Sequence, residues 1–227
     1  MAALWPSAFG QSLPNTAIDN RSQPFSSNTV SVGQLKVPAK AFHHLEAAQR
    51  HFAHLQLTGA AIELHRAIDV YPAFAKAFFM DALIRLAEKD YSGSVESAAH
   101  AISLDDEDAY SWVALATAYN SLNEWSEAEA AAGRALALNP SAWQGRLELA
   151  KSFYGQGEYQ LALNTMDQIS KDFPDVHLIR ANVLQRLGRT SEAAEQFSFF
   201  LRQAPTDARC SQIRQIEAPA STISIGK

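Results

Sequence analysis

Apolar positions recur with the spacing of a helix between residues 111 and 140. The first set is separated by three and four residues, on one helix face: Trp112, Leu115, Ala116 and Tyr119. Polar residues over 120–124 predict a turn. A second apolar face then runs to Pro140, which ends its helix because proline lacks the backbone N–H and disfavours helical geometry before it. The stretch predicts a helical hairpin that needs neighbours to bury its open side.

The same pattern returns at a fixed interval, so that equivalent residues of successive units form columns. One column of small residues is Ala48, Ala82, Ala116, Ala150 and Ala181, with three steps of 34 residues and a last step of 31. A second column keeps these steps at Leu57, Tyr91, Trp125, Tyr159 and Thr190, and the closing positions are Pro72, Asp106, Pro140, Pro174 and Pro205. A fixed step in independent columns predicts stacked helix-pair repeats in one elongated solenoid.

These residues resemble the tetratricopeptide repeat family. The resemblance covers about residues 41–205 and rests on Trp112-x-x-Leu115-Ala116-x-x-Tyr119, Trp125-x-x-Ala128, Ala135 and Pro140. It implies an all-α fold, a right-handed α-solenoid of about five helix-turn-helix repeats with a C-terminal capping helix. Repeat five is three residues shorter than the others, and the loss is expected before its first helix.

Three local polar features fit this arrangement. Asp81 stands where the family usually has leucine, and its spacing of four residues from Arg85 predicts an ion pair along one helix. The acidic run 105–108 is expected to cap the next helix N-terminus, where negative charge is favourable. Gly188 is expected to end the first helix of repeat five.

The chain is therefore divided into four segments. The first, residues 1–39, is rich in Ser, Asn, Gln and Pro and is expected to be disordered. The solenoid spans 40–205, with repeats at about 40–72, 73–106, 107–140, 141–174 and 175–205. A capping helix is expected over 206–217, with Cys210 and Ile213 facing the last repeat, and 218–227 is expected to be a disordered tail.

Composition narrows the functional classes. The net charge of −5 argues against sequence-independent nucleic-acid binding, which depends on Lys and Arg contacts to phosphate. No apolar run approaches the roughly 20 residues that span a bilayer. The single cysteine fits a reducing compartment, and a cytoplasmic location is expected. An exported or periplasmic location stays open as the alternative, should the true N-terminus carry a signal; Pro6 interrupts the apolar start of this sequence.

Catalytic motifs with a nucleophile, a phosphate-binding glycine loop or paired cysteines are not found in the sequence. Repeat one holds five of the seven histidines, and His44, His51 and His54 could share a helix face. These side chains are expected to be partly exposed on a terminal repeat. The alternative is that they bind a metal ion. We expect neither a metal nor a cofactor.

The family resemblance implies a concave surface lined mainly by the first helix of each repeat. The residues carried over to this groove are Phe79, Leu83, Leu86, Tyr110, Val113, Thr117, Asn120, Leu147, Lys151, Tyr154, Leu178, Asn182 and Gln185. One groove column is apolar throughout, namely Leu45, Phe79, Val113, Leu147 and Leu178. It is either an exposed trough or a set of contacts buried between neighbouring first helices, and both interpretations stay open.

Some family members hold a peptide's terminal carboxylate with a Lys and Asn clamp in the first repeat and further basic residues in the next two. The matching positions here are Leu45, Gln49, Met80, Tyr110 and Ala114, so the clamp is missing and recognition of a chaperone's acidic C-terminal tail is disfavoured. The sequence predicts a non-catalytic scaffold or adaptor that binds a peptide segment or partner domain in the groove. The alternatives are a non-catalytic subunit, an assembly or envelope factor, and a helical-repeat enzyme with metal at repeat one.

Overall fold

A computed structural model describes residues 37–169 and 173–217. These residues form eleven helices and no strand: α1 Ala39–Ala53, α2 Leu57–Val70, α3 Ala75–Glu88, α4 Tyr91–Leu104, α5 Ala109–Leu122, α6 Trp125–Leu138, α7 Trp143–Gly155, α8 Tyr159–Met166, α9 Pro174–Arg186, α10 Thr190–Gln203 and α11 Cys210–Glu217. The all-α prediction is confirmed. The disorder expected for the N-terminal segment up to residue 36 and for 218–227 lies outside the described residues.

Helices pack in consecutive pairs from α1 with α2 to α9 with α10, and each pair packs on the next. The first helices α1, α3, α5, α7 and α9 also contact one another in series. Neighbouring second helices, within the described part of the chain, make no comparable contacts. Because the first helices lie closer together than the second helices, the stack curves with its first helices on the inner side.

Small residues at a fixed step permit this stacking. Ala48, Ala82, Ala116, Ala150 and Ala181 are all completely buried. Helices approach to about 8–10 Å only where the facing side chains are small. The column of alanines predicted from the sequence is therefore confirmed as the packing surface of the solenoid.

The turn inside each hairpin uses one backbone conformation five times. A left-handed residue, with φ between 56° and 84°, recurs with the repeat step at Leu55, Lys89, Asn123, Gly157 and Gly188. Gly188 follows the end of α9 as predicted. This conformation suits glycine and asparagine but is unfavourable for a branched side chain such as Leu55, which is also 74% exposed.

The predicted local polar contacts are present. Arg85 Nε donates to Asp81 Oδ2 at 2.7 Å, which confirms the ion pair within α3. Asp108 caps α5, since its carboxylate accepts hydrogen bonds from the backbone amides of Tyr110 and Ser111 at 3.3 and 3.1 Å. The acidic run therefore starts a helix, as expected.

Repeat four departs from the others in its second helix. Helix α8 has 8 residues, whereas α2, α4, α6 and α10 have 14. Ile169 occupies the column of Ala67, Ala101 and Ala135 but lies beyond the end of α8. The three-residue shortening therefore falls between the start of α8 and the start of α9.

Candidate partner-binding groove

The predicted groove residues all belong to the first helices α3, α5, α7 and α9, which form the inner side of the solenoid. The apolar column, whose exposure the sequence left open, is mostly buried. Leu45, Leu147 and Leu178 are each 4% exposed and Phe79 is 9% exposed, whereas Val113 is half-buried. Most of this column therefore packs between neighbouring first helices.

The accessible apolar surface is shorter than a full-length trough. Among the predicted groove residues, the half-buried ones lie on α3 and α5: Leu83, Tyr110, Val113 and Thr117. Leu86 on α3 is buried. Leu83 and Tyr110 pack with one edge against the core cluster around Phe79 and Leu115. The half-buried side chains Leu83, Tyr110 and Val113 are here termed the apolar patch.

A buried ion pair crosses the middle of the inner side. Lys151 Nζ donates to Glu148 Oε1 at 2.6 Å within α7, and the two side chains are 11% and 5% exposed. Asn120 on α5 donates its Nδ2 to both the main-chain oxygen and Oε2 of Glu148, each at 2.9 Å. Ser152 donates to Asn120 Oδ1 at 3.1 Å. These bonds join α5 to α7, so Asn120 and Lys151 contribute to the interior contact between repeats three and four.

Glu148 was not among the predicted site residues. Its equivalents in repeats two and three are Met80 and Ala114, and column-by-column comparison therefore treats the position as packing. The spacing of three residues between Glu148 and Lys151 is the available indication in the sequence, because residues three apart are neighbours on a helix.

The C-terminal end of the inner side is polar. Arg186 Nε on α9 donates to the hydroxyl of Tyr154 on α7 at 3.0 Å, and the guanidinium carbon lies 5.9 Å from the centre of the tyrosine ring. Burial raises the pKa of Tyr154, and the bond to the hydroxyl raises the pKa of Arg186. Tyr154 is itself buried, whereas Arg186 and the predicted groove residue Gln185 are exposed.

Asn182 lies one turn before Arg186 on the same face of α9. Its side chain is 7% exposed, and its Nδ2 has no hydrogen-bond partner in the part of the chain that the structure describes. Buried polar groups in folded proteins are normally paired, and an unpaired donor costs about 1–3 kcal/mol. The unpaired amide of Asn182 therefore lowers the stability of the fold, and packing alone gives no reason for an asparagine at this position.

The histidines of repeat one are engaged separately. His44 Nδ1 lies 2.7 Å from Glu63 Oε2, a bond that lowers the pKa of Glu63, and His51 Nδ1 lies 2.7 Å from Gln56 Oε1. Over residues 37–169 and 173–217, no three His, Cys, Asp or Glu side chains come together as a set that could hold a metal ion. None of the helices in those ranges has the length and apolar character needed to cross a membrane.

Known proteins provide the remaining comparison. The sequence profile described as tetratricopeptide repeat matches residues 113–175 and again 147–208. A thermophilic TPR protein of Thermus thermophilus is 20% identical, with a TM-score of 0.67, over 78% of this chain and 97% of that one. The structure of pilF from Pseudomonas aeruginosa is 15% identical, with a TM-score of 0.65, over 78% and 84% of the two chains.

A third similar structure is that of YrrB, described as a TPR protein with an unusual peptide-binding site. It is 15% identical, with a TM-score of 0.56, over 77% of this chain and 92% of that one. No curated protein matches the sequence. At these identities the solved structures show the fold, and their agreement in length indicates a solenoid of comparable extent.

Proposed function

Because the chain belongs to the tetratricopeptide repeat family, we propose that it is a non-catalytic scaffold that binds a peptide segment of a partner protein. The segment lies on the inner side, across the first helices of repeats two to five. The observation that carries this proposal is that the apolar side chains of Leu83, Tyr110 and Val113 are only half-buried, whereas the other members of the Val113 column are buried.

The composition of the inner side supports a peptide as the ligand. An extended or helical segment uses apolar side chains for affinity and polar groups for orientation, and the inner side offers both kinds of contact in succession. The apolar patch lies on α3 and α5, and polar groups follow on α7 and α9. The peptide-binding site described for YrrB supports the same class of ligand.

The contacts made by the ionisable side chains of the inner side favour a non-catalytic role. Glu148 and Lys151 neutralise each other in the interior, and Tyr154 positions Arg186. These contacts stabilise the packing of α5, α7 and α9. They account for the ionisable residues of the middle of the groove without assigning them to a reaction.

A randomised peptide display library, selected on the intact chain, tests the proposal. Leu83→Asn and Val113→Thr keep side-chain size while replacing apolar surface with polar groups. We expect each to weaken the selected peptides about tenfold, since about 1.4 kcal/mol is a factor of ten and each buried methylene contributes about 0.8 kcal/mol. The matched control is Ile62→Thr on second helix α2, where the side chain is 49% exposed.

Circular dichroism melting separates binding from folding in these variants. The proposal requires affinity to fall in the two groove variants while the control binds like the parent chain. Peptides that bind both groove variants with undiminished affinity, or that crosslink to second helices instead, would show that the inner side is not the binding surface.

A further inference from the structure

We propose that the C-terminal end of the groove is a carboxylate-binding position formed by Asn182 and Arg186 of α9. The inference rests on the proposed function and specifies its ligand: the bound peptide presents a carboxylate to repeat five. The carboxylate belongs to an acidic side chain or to the peptide C-terminus, and the experiment below separates these two sources.

The first reason is the unsatisfied donor. Asn182 Nδ2 is buried and has no partner among residues 37–169 and 173–217, so the free chain bears the full desolvation cost of this group. An acceptor supplied by a ligand removes that cost. The position also belongs to the column of Leu83, Thr117 and Lys151, which the family resemblance assigns to the groove.

The second reason is the state of Arg186. It lies four residues after Asn182, and side chains at this spacing share a helix face. In the described part of the chain, no carboxylate pairs with it. Its Nε is used by the hydroxyl of Tyr154, which leaves the two terminal nitrogens of the guanidinium for another acceptor.

The third reason is that the guanidinium is already positioned. Tyr154 is buried, and both its hydroxyl and its ring contact Arg186, which limits the side-chain freedom that binding would otherwise remove. Arginine presents its nitrogens in a planar fork that matches the two oxygens of a carboxylate.

Local charge favours an anion over a neutral acceptor. The neighbouring ionised groups of the groove, Glu148 and Lys151, cancel each other at 2.6 Å. No carboxylate of the described residues pairs with Arg186, so its positive charge is available at this end of the groove, although the whole chain carries a net charge of −5. Asn182 lies in the same column as Gln49, one of the clamp-matching positions, but in repeat five, and Arg186 lies outside the columns of the clamp.

The experiment uses the tightest peptide obtained from the randomised display library. Its affinity for the intact chain is measured in three forms: unchanged, with each acidic side chain replaced by its amide in turn, and with an amidated C-terminus. Each form is also measured against Asn182→Ala and Arg186→Gln. The matched controls are Asn164→Ala and Arg134→Gln, since both residues are exposed on second helices, α8 and α6.

We expect one carboxylate of the peptide to matter, and its replacement to weaken binding to the parent chain about tenfold, as for a hydrogen bond to a charged group. The same replacement should have little effect on Arg186→Gln, because the interaction is already lost there. Loss on amidation identifies the C-terminus, and loss on one side-chain replacement identifies an Asp or Glu. The two controls should bind like the parent chain.

Two results would overturn the assignment: a peptide that tolerates neutralisation of all its carboxylates, or equal losses on neutralisation in the parent chain and in Arg186→Gln. Failure of the proposed function has a different signature. In that case the selected peptides would bind Leu83→Asn and Val113→Thr as tightly as the parent chain. The carboxylate assignment, which depends on the proposed function, would then be rejected as well.

Discussion

Replacing Lys151 with leucine is expected to lower the free energy of unfolding by about 3 kcal/mol. The change leaves Glu148, which is 5% exposed, buried without its partner. Removing one partner of a buried ion pair costs about 3–5 kcal/mol, and the remaining 11% exposure of Lys151 places this pair at the lower end. The hydrogen bonds from Asn120 to Glu148 are retained, so the loss of stability reports the ion pair between Glu148 and Lys151.

The chain itself supplies the compensating double variant. Repeat two has Met80 and Leu83 at the positions equivalent to Glu148 and Lys151. Glu148→Met combined with Lys151→Leu therefore installs residues that this fold already packs, and Asn120 can still donate to the main-chain oxygen of residue 148. Replacing both charges by apolar groups of similar volume is often neutral or stabilising, and we expect stability within about 1 kcal/mol of the parent chain.

Urea unfolding followed by circular dichroism measures the four chains of this double-mutant cycle. The coupling energy should be at least about 2 kcal/mol, toward the upper end of the range found for residues in one ionic network. A Lys151→Leu chain as stable as the parent would refute the reasoning, because Glu148 would then be solvated rather than buried. A double variant no more stable than the single variant would show instead that side-chain packing, not charge, is responsible.

Three further predictions concern stability. Leu55→Gly should raise the free energy of unfolding by roughly 1 kcal/mol in urea, since a left-handed residue with a Cβ costs about 1–2 kcal/mol. Ala116→Leu should lower it by about 1–3 kcal/mol in the same assay, because the site is fully buried. Hydrogen bonds from Arg209 lower the pKa of Asp207, so their contribution is complete above about pH 3.8 and is lost as the pH falls through the lowered value. The protection factors of the α11 amides, which compare each exchange rate with the intrinsic rate at the same pH, should therefore fall in acid, and in Arg209→Gln at neutral pH.

The fold could be predicted because each repeat makes the same contacts. Ala116 and its equivalents are buried wherever they recur, and a solenoid needs only contacts within a repeat and with its neighbours. The shortened α8 could not be predicted from the columns, because it is six residues shorter than the other second helices whereas the junction after it is three residues longer. The net loss of three residues therefore falls in the second helix of repeat four and not in the junction where it was expected. Counting from one column to the next gives the size of a loss but not its place.

The groove was harder to predict because one helix face serves two purposes. Residues on the inner face of a first helix contact both the neighbouring first helix and the groove, and the sequence does not show how deep each side chain lies. Phe79 and Tyr154 are buried, and their truncation is expected to disturb packing as well as binding. Lys151 is drawn inward by Glu148, a residue whose equivalents in two neighbouring repeats are Met80 and Ala114.

Arg186 was not predicted although Asn182 was. The family resemblance carried over one residue from the last turn of α9, Gln185, and not the next one. Its contact with the hydroxyl of Tyr154 depends on how α7 and α9 pack, and the last repeat step is 31 rather than 34 residues. The contact between Arg186 and Tyr154 could therefore not be predicted from the repeat step, because it depends on how α7 and α9 are placed in three dimensions.

The proposed binding mode and the spacing of the first helices together predict how far apart two residues of the bound peptide should be. Val113 lies on α5 and Asn182 on α9, two first helices apart. At about 8–10 Å between neighbouring helices, the two contacts are separated by about 16–20 Å along the groove. Because an extended chain advances about 3.3 Å per residue, the apolar side chain and the carboxylate of the bound peptide should be about five or six residues apart. Enrichment of that spacing among selected peptides would connect both halves of the groove to one ligand, whereas carboxylates at random distances from the apolar residue would indicate that only one half binds.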